Sequence, residues 1–208
     1  GTLADTEIYG HRLAFNEAFS EANLNWSWDV PTYIELLEVQ GGKNRIRVYA
    51  DSNDNLIDEY LIRKLHFRKQ YFYHQLIQNG KVPLRIGVKR LVRELEEKGI
   101  SQWIVTTSGI KAVSSLLKCS FNNESMPFAG AITYEDVTNH KPNPDAYLKA
   151  INLCGYQPEN ILVIEDSNVG LLSARHASLK CLVTLSPWKE SPTNDMDCAD
   201  VILNHLGD

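Results

Sequence analysis

Apolar residues recur at helical spacing through the first 80 positions of the chain. The pattern begins at Asp5 or Thr6, breaks after Ala22, resumes at Asp29, and stops at the double glycine Gly41-Gly42. Two more helices are predicted, a short one at 43–50 and a long one at 56–79, separated by a turn at 51–55 and closed by a glycine. The first part of the chain is therefore predicted to be wholly helical.

After Pro83 the pattern changes, because short apolar runs typical of strands now alternate with amphipathic helices. Strands are predicted at 103–105, 129–133, 161–164 and 180–184, and helices at 88–98, 110–117, 144–154 and 168–174. Such alternation implies right-handed crossovers and a parallel sheet. We predict an α/β fold with a doubly wound parallel sheet and three parts: the start of the core at 1–10, a helical cap domain at 11–82, and an α/β core domain at 83–208.

The unit from 161 to 174 holds the clearest candidate chemistry. A buried strand ends in Glu165-Asp166, and a helix follows after Ser167-Asn168. Ligands of open parallel sheets bind beyond the carboxyl ends of the strands, so two carboxylates there suit a hard cation or a proton. The alternative is that Asp166 only caps the following helix. Taken alone, the motif leaves both interpretations open.

Two other predicted strand ends or loops carry polar groups. One strand ends in Thr106-Thr107-Ser108-Gly109, where hydroxyls and backbone N–H groups at a helix start can bind an anion. A proline-stiffened loop presents Lys141 just before another helix. At ~4 Å and an effective dielectric of ~20, an ammonium and an oxyanion attract by ~4 kcal/mol. Although Lys141 alone could be a solvated loop lysine, the combination points to a phosphoryl group.

Composition excludes several classes of protein. The 208 residues are 43% hydrophobic with a net charge of −5, which suits one full core and gives no footprint for nucleic acid. No apolar run approaches the length needed to span a bilayer. The four cysteines lack the paired spacing of zinc sites, so we expect reduced thiols in a cytosol-like compartment, cytoplasm or plastid stroma.

Four segments, GTLADTE, TTSG, HKPNPDAY and VIEDSNVG, resemble in order and spacing the four motifs of the haloacid dehalogenase-like hydrolases. The resemblance covers the whole chain and implies a phosphatase or phosphomutase that uses Mg²⁺. In that superfamily the first motif is Asp-x-Asp-Gly-Thr, in which one aspartate attacks phosphorus and the other acts as general acid and base. Because the sequence begins at the Gly, we expect both aspartates to lie before Gly1, in a segment missing from a trimmed chain, and expect the printed sequence alone to be inactive.

The same resemblance assigns roles to residues that are present. Thr106 corresponds to the hydroxyl that binds the transferring phosphoryl group, and Lys141 to the lysine that neutralises it. Glu165 and Asp166 correspond to the pair that holds Mg²⁺, with Asp166 the more direct ligand. Thr107 and Ser108 extend the phosphate-binding loop.

The helical part, with QGGKNR and LHFRKQYFY, resembles the cap of the CbbY-like proteins. That resemblance implies xylulose-1,5-bisphosphate, a small phosphorylated sugar, as substrate of a monomeric enzyme, and no nucleic-acid or membrane partner. His140 departs from the pattern. The alternative for Lys69 is a solvated basic face. The resemblance implies these substrate-binding residues in the cap: Glu7, Gly41, Gly42, Lys43, Asn44, Arg45, His66 and Lys69.

Three other functions stay open at this stage. A β-phosphoglucomutase-type enzyme has the same core and cap but returns phosphate to the sugar. Response-regulator receivers also place acidic residues, a hydroxyl and a lysine at strand ends, but they lack an ~80-residue helical part. A non-catalytic binding module is the third possibility.

Overall fold

A computed structural model describes residues 1–53, 57–121, 127–188 and 196–207. The chain folds into two units, each of which packs mainly on itself. The core unit comprises Gly1–Asp5 and Leu84–Asp208, and the cap unit comprises Thr6–Pro83. The sequence pattern places these boundaries at 10/11 and 82/83. Parallel strands alternate with helices in the core unit, so the predicted α/β class is confirmed.

All regular elements in the described residues of the cap unit are helices. Its first turn, Glu7–Arg12, is a π-helix that runs directly into α1. Asp29 and Asp58 begin two further helices by accepting the backbone N–H of the third residue on, as helix N-caps do. The predicted turn at 51–55 and the predicted helix start at Leu56 lie partly outside the described residues. The α-helices are α1 (Leu13–Glu21), α2 (Val30–Leu37), α3 (Gly42–Ser52) and α4 (Glu59–Gln78).

The core unit contains five strands in two parallel sheets over its described residues. In the first sheet β1 pairs with β2, and in the second β4 lies between β3 and β5. Strand β5 was not predicted. The elements are α5 (Val88–Glu97), β1 (Trp103–Val105), α6 (Ile110–Phe121), β2 (Gly130–Ile132), α7 (Asp145–Cys154), β3 (Leu162–Glu165), α8 (Asn168–His176), β4 (Lys180–Thr184) and β5 (Val201–Leu203).

Helix α8 packs on the three-stranded sheet through an apolar face. Leu171 and Ala174 on the helix, and Cys181 and Val183 on β4, are fully buried in one hydrophobic cluster. Burying a side chain as large as leucine or valine contributes on the order of 1.5 to 3 kcal/mol. This packing fixes the β3–α8 junction, and with it the position of the two carboxylates at the end of β3.

The first five residues are held against the end of β4 by Arg85. Its guanidinium donates to the carbonyl of Gly1 at 3.3 Å, to the carbonyl of Thr184 at 3.2 Å and to the carbonyl of Leu185. Ala4 and Leu84 form an antiparallel bridge beside it. The buried arginine thereby holds Gly1 and Thr2 within reach of the β3–α8 junction.

The described part of the chain has no helix with the length and apolar character that a membrane span requires.

Candidate active site

Asp166 lies at the junction of β3 and α8. Its Oδ1 accepts a hydrogen bond from Thr2 Oγ1 at 2.7 Å. Burial alone raises the pKa of this carboxyl, but the positive groups around it and the hydroxyl of Thr2 outweigh burial, so its pKa is below the usual value. Asp166 is therefore ionised at neutral pH.

Glu165, although adjacent, is in a different environment. The side chain is buried, and its Oε1 accepts hydrogen bonds from the ammonium of Lys141 and from Tyr147 Oη, the latter at 2.5 Å. A Cβ placed on Gly170 would lie 2.1 Å from the Glu165 carboxyl, so a glycine in α8 makes room for it. Glu165 is thus satisfied within the protein, whereas Asp166 retains oxygen for a cation.

Lys141 joins the ends of two strands. Besides Glu165, its Nζ donates to the carbonyl of Val105 at 2.9 Å and to Tyr147 Oη at 3.3 Å. Val105 is the last residue of β1 and directly precedes Thr106. The ammonium is therefore fixed between the ends of β1 and β3, close to the backbone of both predicted phosphate- and metal-binding segments.

Thr106 is placed at the end of β1 by the bond from its N–H to the carbonyl of Ile132, at 2.9 Å. Its Oγ1 accepts the N–H of Ser108 at 3.0 Å, which leaves the hydroxyl proton to donate to another acceptor. Thr107 is exposed beside it. The three hydroxyl residues of this segment form a turn in which Thr106 is oriented by the backbone.

The start of α6 differs from expectation. The N–H of Ile110 donates to Glu135 Oε2 at 3.2 Å, and the same oxygen accepts from Thr133 Oγ1 at 2.8 Å. Anions bind at helix N-termini, and here the anion is a carboxylate of the chain itself. The prediction of free N–H groups at this helix start is therefore wrong for Ile110.

A hard divalent cation fits part of the donor set. Asp166 provides a carboxylate, and Asn168, two residues later, has a buried Oδ1 without a hydrogen-bond partner in the described structure. Hard cations of the Mg²⁺ type prefer such oxygens. The described residues contain no cluster of three or more His, Cys, Asp or Glu side chains that could hold a metal. Asp166 would supply one ligand, with Asn168 a further oxygen nearby in sequence.

Four predicted cap residues, Glu7, Arg45, His66 and Lys69, lie with His11 and Tyr33 in a cluster of polar groups, here called the cap cluster. Glu7 Oε2 accepts from Tyr33 Oη at 2.7 Å, and Tyr33 Oη lies 3.5 Å from Arg45 Nη1. The Nε of Arg45 donates to the carbonyl of Val39 at 3.0 Å. Arg45 is thus oriented by the backbone and by a tyrosine that Glu7 holds.

Lys69 is the buried cation of the cap cluster, with only 5% of its surface exposed. Its Nζ lies 2.8 Å from His11 Nδ1. It also lies 5.0 Å from the ring centroid of Phe15 and 5.3 Å from that of Tyr73, within the range of cation–π contacts. Burial, only partly offset by the charge of Glu7, lowers the pKa of Lys69 to about 8. The alternative of a solvated basic face is excluded for this residue.

Both histidines of the cap cluster have pKa values below the ordinary value of histidine. Burial, followed by the charge of Lys69, lowers the pKa of His11 well below its ordinary value, and the same two causes lower the pKa of His66. His11 is therefore neutral at pH 7, and its Nδ1 accepts a hydrogen bond from the ammonium of Lys69. One carboxylate, Glu7, faces two cations in this cluster.

The glycine loop before α3 has a packing role. Gly41 has φ +87°, a conformation that favours glycine. A Cβ on Gly42 would lie 2.9 Å from the ring of His66 and 3.1 Å from that of Phe15, so this glycine lets α3 approach α4. Lys43 and Asn44 are exposed, and Asn44 bonds to the carbonyl of Gln40 at 2.9 Å.

Besides Asn168, sequence patterns did not identify three residues of the two sites. His11, Tyr33 and Tyr147 each contact a predicted site residue, but those contacts join positions 58, 26 and 18 residues apart in sequence. The available signals were weak: His11 sits at helical spacing from Glu7, and Tyr147 follows the Lys141 loop within the quoted motif.

The sequence model of the family described as haloacid dehalogenase-like hydrolase matches residues 1–184 of the chain. A CBBY-like protein of Arabidopsis thaliana is 34% identical over 216 residues, which cover 100% of this chain and 67% of that protein. The protein CbbY of Cupriavidus necator is 36% identical over 215 residues, which cover 100% of this chain and 83% of that protein.

Two solved structures agree with these sequence relatives. CbbY from Rhodobacter sphaeroides in complex with phosphate matches with a TM-score of 0.81 at 31% identity, covering 100% of this chain and 92% of that one. A mutant of the same CbbY, in complex with xylulose-(1,5)bisphosphate, matches with a TM-score of 0.80, the same identity and the same coverage. By sequence and by fold, the chain belongs to the haloacid dehalogenase-like hydrolases and, within them, to the CbbY-like group.

Proposed function

We propose that this hydrolase is a Mg²⁺-dependent phosphatase that acts on a small phosphorylated sugar, and that the sugar is xylulose-1,5-bisphosphate. The observation that carries the proposal is the fixed position of Lys141 between the ends of β1 and β3, beside the segments of Thr106 and Asp166. The CbbY structure with xylulose-(1,5)bisphosphate supports the choice of substrate.

Each core residue has a role in phosphoryl transfer, which depends mainly on positioning and charge neutralisation. Thr106 donates its hydroxyl proton to a phosphoryl oxygen, and Lys141 offsets the negative charge of that group. Asp166, with Asn168, would hold the cation, which when bound stabilises negative charge on phosphoryl oxygens. In this proposal the attacking carboxylate is the first aspartate of the superfamily's Asp-x-Asp-Gly-Thr motif, and the reaction passes through an aspartyl-phosphate.

The cap cluster supplies the preference for a bisphosphate in this proposal. Two cations, Arg45 and Lys69, accompany one carboxylate, so a second phosphate would bring the negative charge that the cluster lacks. Lys43 adds an exposed cation at the start of α3. Binding energy from a remote phosphate can be used to orient the reacting one.

The test compares substrates and variants in the full-length protein. Arg45→Ala should lower kcat/KM for xylulose-1,5-bisphosphate by an amount that corresponds to a barrier about 2 to 4 kcal/mol higher, as loss of a charge-assisted contact does. The slow hydrolysis of p-nitrophenyl phosphate should be unchanged. The matched control is Arg47→Ala, because Arg47 lies on the same helix but pairs with Glu59 at 2.7 Å on the surface.

An equal loss on both substrates would assign Arg45 to the fold or to the core site and remove the main argument for a bisphosphate. Release of inorganic phosphate without a bisphosphate primer distinguishes the phosphatase from a phosphomutase. Transfer back to the sugar, with no net hydrolysis, would overturn the proposal.

A further inference from the structure

The three N–H groups of the Lys141 ammonium all have acceptors in this structure. They are the carbonyl of Val105 at 2.9 Å, Tyr147 Oη at 3.3 Å and Oε1 of Glu165. Only 9% of the lysine side chain is exposed. Because an ammonium has three donors and no more, none is left for a phosphoryl oxygen. One of the present contacts has to be given up when a substrate binds.

The three contacts differ in strength. The carboxylate of Glu165 is a buried, charge-assisted acceptor, and the carbonyl of Val105 is a well-placed backbone acceptor. Tyr147 Oη is neutral, and it lies farther from Nζ than the carbonyl of Val105 does. The bond to Tyr147 therefore costs least to exchange for a bond to an anion.

Tyr147 also has a second bond that does not depend on the lysine. Its hydroxyl donates to Glu165 Oε1 at 2.5 Å, and its ring lies under the Lys141 ammonium with 4.8 Å between Nζ and the centroid. The ring is buried in the hydrophobic cluster of the core unit. When the lysine N–H turns away, the phenol therefore stays in place and keeps Glu165 hydrogen-bonded.

On the basis of the proposed function, we propose that Tyr147 is a positioning residue that holds one N–H of Lys141 in the free protein and releases it to the substrate phosphoryl group. No proton is transferred in this exchange, because one hydrogen bond from the ammonium to the phenol is replaced by one to a phosphoryl oxygen. Burial, reinforced by the charge of Glu165, raises the pKa of the phenol well above its ordinary value, so the hydroxyl stays protonated at neutral pH.

The variant Tyr147→Phe keeps the buried ring and the cation–π contact and removes only the hydroxyl. One Lys141 N–H then lacks its competing acceptor, so inorganic phosphate should bind about 3- to 10-fold more tightly, the worth of one hydrogen bond. KM should fall with it. Tighter binding of the product phosphate slows its release, so kcat should fall by about 3- to 10-fold as well.

The experiment uses the full-length protein and compares wild type, Tyr147→Phe and a control, Tyr156→Phe, whose tyrosine lies after α7 and is exposed. The inhibition constant of inorganic phosphate, kcat, KM and thermal unfolding are measured for each. We expect the inhibition constant, KM and kcat all to fall in Tyr147→Phe alone. A tyrosine that only stabilises the fold would raise KM and the inhibition constant, or leave all three unchanged, and either result overturns the proposal.

Direct measurements separate this inference from the proposed function. If the wild-type protein hydrolyses no sugar phosphate, the proposed function has failed, yet calorimetric titration with inorganic phosphate still shows whether Tyr147→Phe tightens binding. In the wild-type protein, the ¹⁵Nζ resonance of Lys141 should shift when phosphate is added. An unshifted resonance at saturating phosphate would overturn the exchange even if the variant failed to fold.

Discussion

Two lysines shielded from solvent, one in each unit, are held in opposite ways. Lys141 in the core unit contacts a carboxylate, a carbonyl and a phenol, so its charge is compensated inside the protein. Lys69 in the cap unit contacts a neutral histidine and two aromatic rings, and burial lowers its pKa to about 8. The positive charge of the core lysine is compensated by the carboxylate of Glu165, whereas that of the cap lysine is only partly compensated, by Glu7.

This difference indicates two kinds of binding group. A compensated lysine has a fixed position and contributes to the fold whether or not a ligand is present. An incompletely compensated lysine costs stability in the free protein, and an anionic ligand relieves that cost on binding. In the proposed function, the core lysine therefore serves positioning and the cap cluster recognises negative charge.

The largest effect is expected at the ionised carboxylate of the core unit. Asp166→Asn should lower Mg²⁺-dependent hydrolysis by about 10³-fold or more, because an amide is a poorer ligand for a hard cation and metal stabilisation is worth several kcal/mol. Activity is measured across a range of Mg²⁺ concentrations, and Mg²⁺ binding by calorimetry. Asp197→Asn, at an exposed position, serves as the control. Unchanged activity and Mg²⁺ affinity in Asp166→Asn would exclude this residue from the metal site.

The second effect concerns the compensated lysine. Lys141→Met should lower the free energy of unfolding of the core unit by about 3 to 5 kcal/mol, since Glu165 is left buried without its cation. Urea unfolding combined with hydrogen exchange assigns the loss to the core or the cap. Restoring most of the lost stability with a second change, Glu165→Gln, is the matched control. A Lys141→Met protein as stable as wild type would contradict the compensation inferred here.

The third effect has the opposite sign. Lys69→Met should raise the free energy of unfolding of the cap unit by about 1 to 2 kcal/mol at pH 7. Burying the charge of Lys69 costs ~3 kcal/mol for a pKa lowered to about 8, and this cost exceeds the stabilisation that the hydrogen bond to His11 provides. The folded protein binds fewer protons than the unfolded chain between pH 8 and ~10.5, so wild-type stability should rise across that window. Lys69→Met should lack that rise; a rise of the same size in both proteins would trace it to other groups.

The smallest effect comes from the two histidines of the cap cluster. Their pKa values are lowered in the folded protein, so neither histidine contributes above the unfolded pKa of ~6.5. Below pH ~6.5 the unfolded chain binds protons that the folded protein does not, so stability should decrease as the pH falls toward 5. His66→Gln should flatten this decrease in part. The exposed His205 provides the control in His205→Gln, which should leave the pH profile unchanged.

Sequence patterns predicted the elements wherever a local signal exists. The cap Asp29 marks a helix start, and β1 and β4 were predicted with the bounds that the structure has. The strand β5 was missed because its three apolar residues are too few to show the alternation of apolar and polar residues that is typical of a strand. Only pairing with β4 makes them a strand. The π-helical turn at Glu7–Arg12 was also missed, since its pattern is read as ordinary helix.

The candidate sites could be predicted only in part for the same reason. Side chains such as Thr106, Lys141 and Asp166 follow predicted strands or precede helices, so their common location follows from the topology of a parallel sheet. Whether a site residue is satisfied depends on distant partners. Nothing local distinguishes Glu165, which Tyr147 and Lys141 hold, from Asp166, and nothing local shows that Lys69 is buried beside His11.

The most direct test of the difference between the two lysines is the titration of Lys69 itself. In protein labelled with ¹³Cε-lysine, the resonance absent from Lys69→Met identifies this residue, and its midpoint gives the pKa. We predict a midpoint near 8 in the free protein, moving upward when a sugar bisphosphate binds. A midpoint at the ordinary value of ~10.4 that does not respond to the ligand would show that the cap lysine is already compensated, and would contradict the distinction between the two lysines.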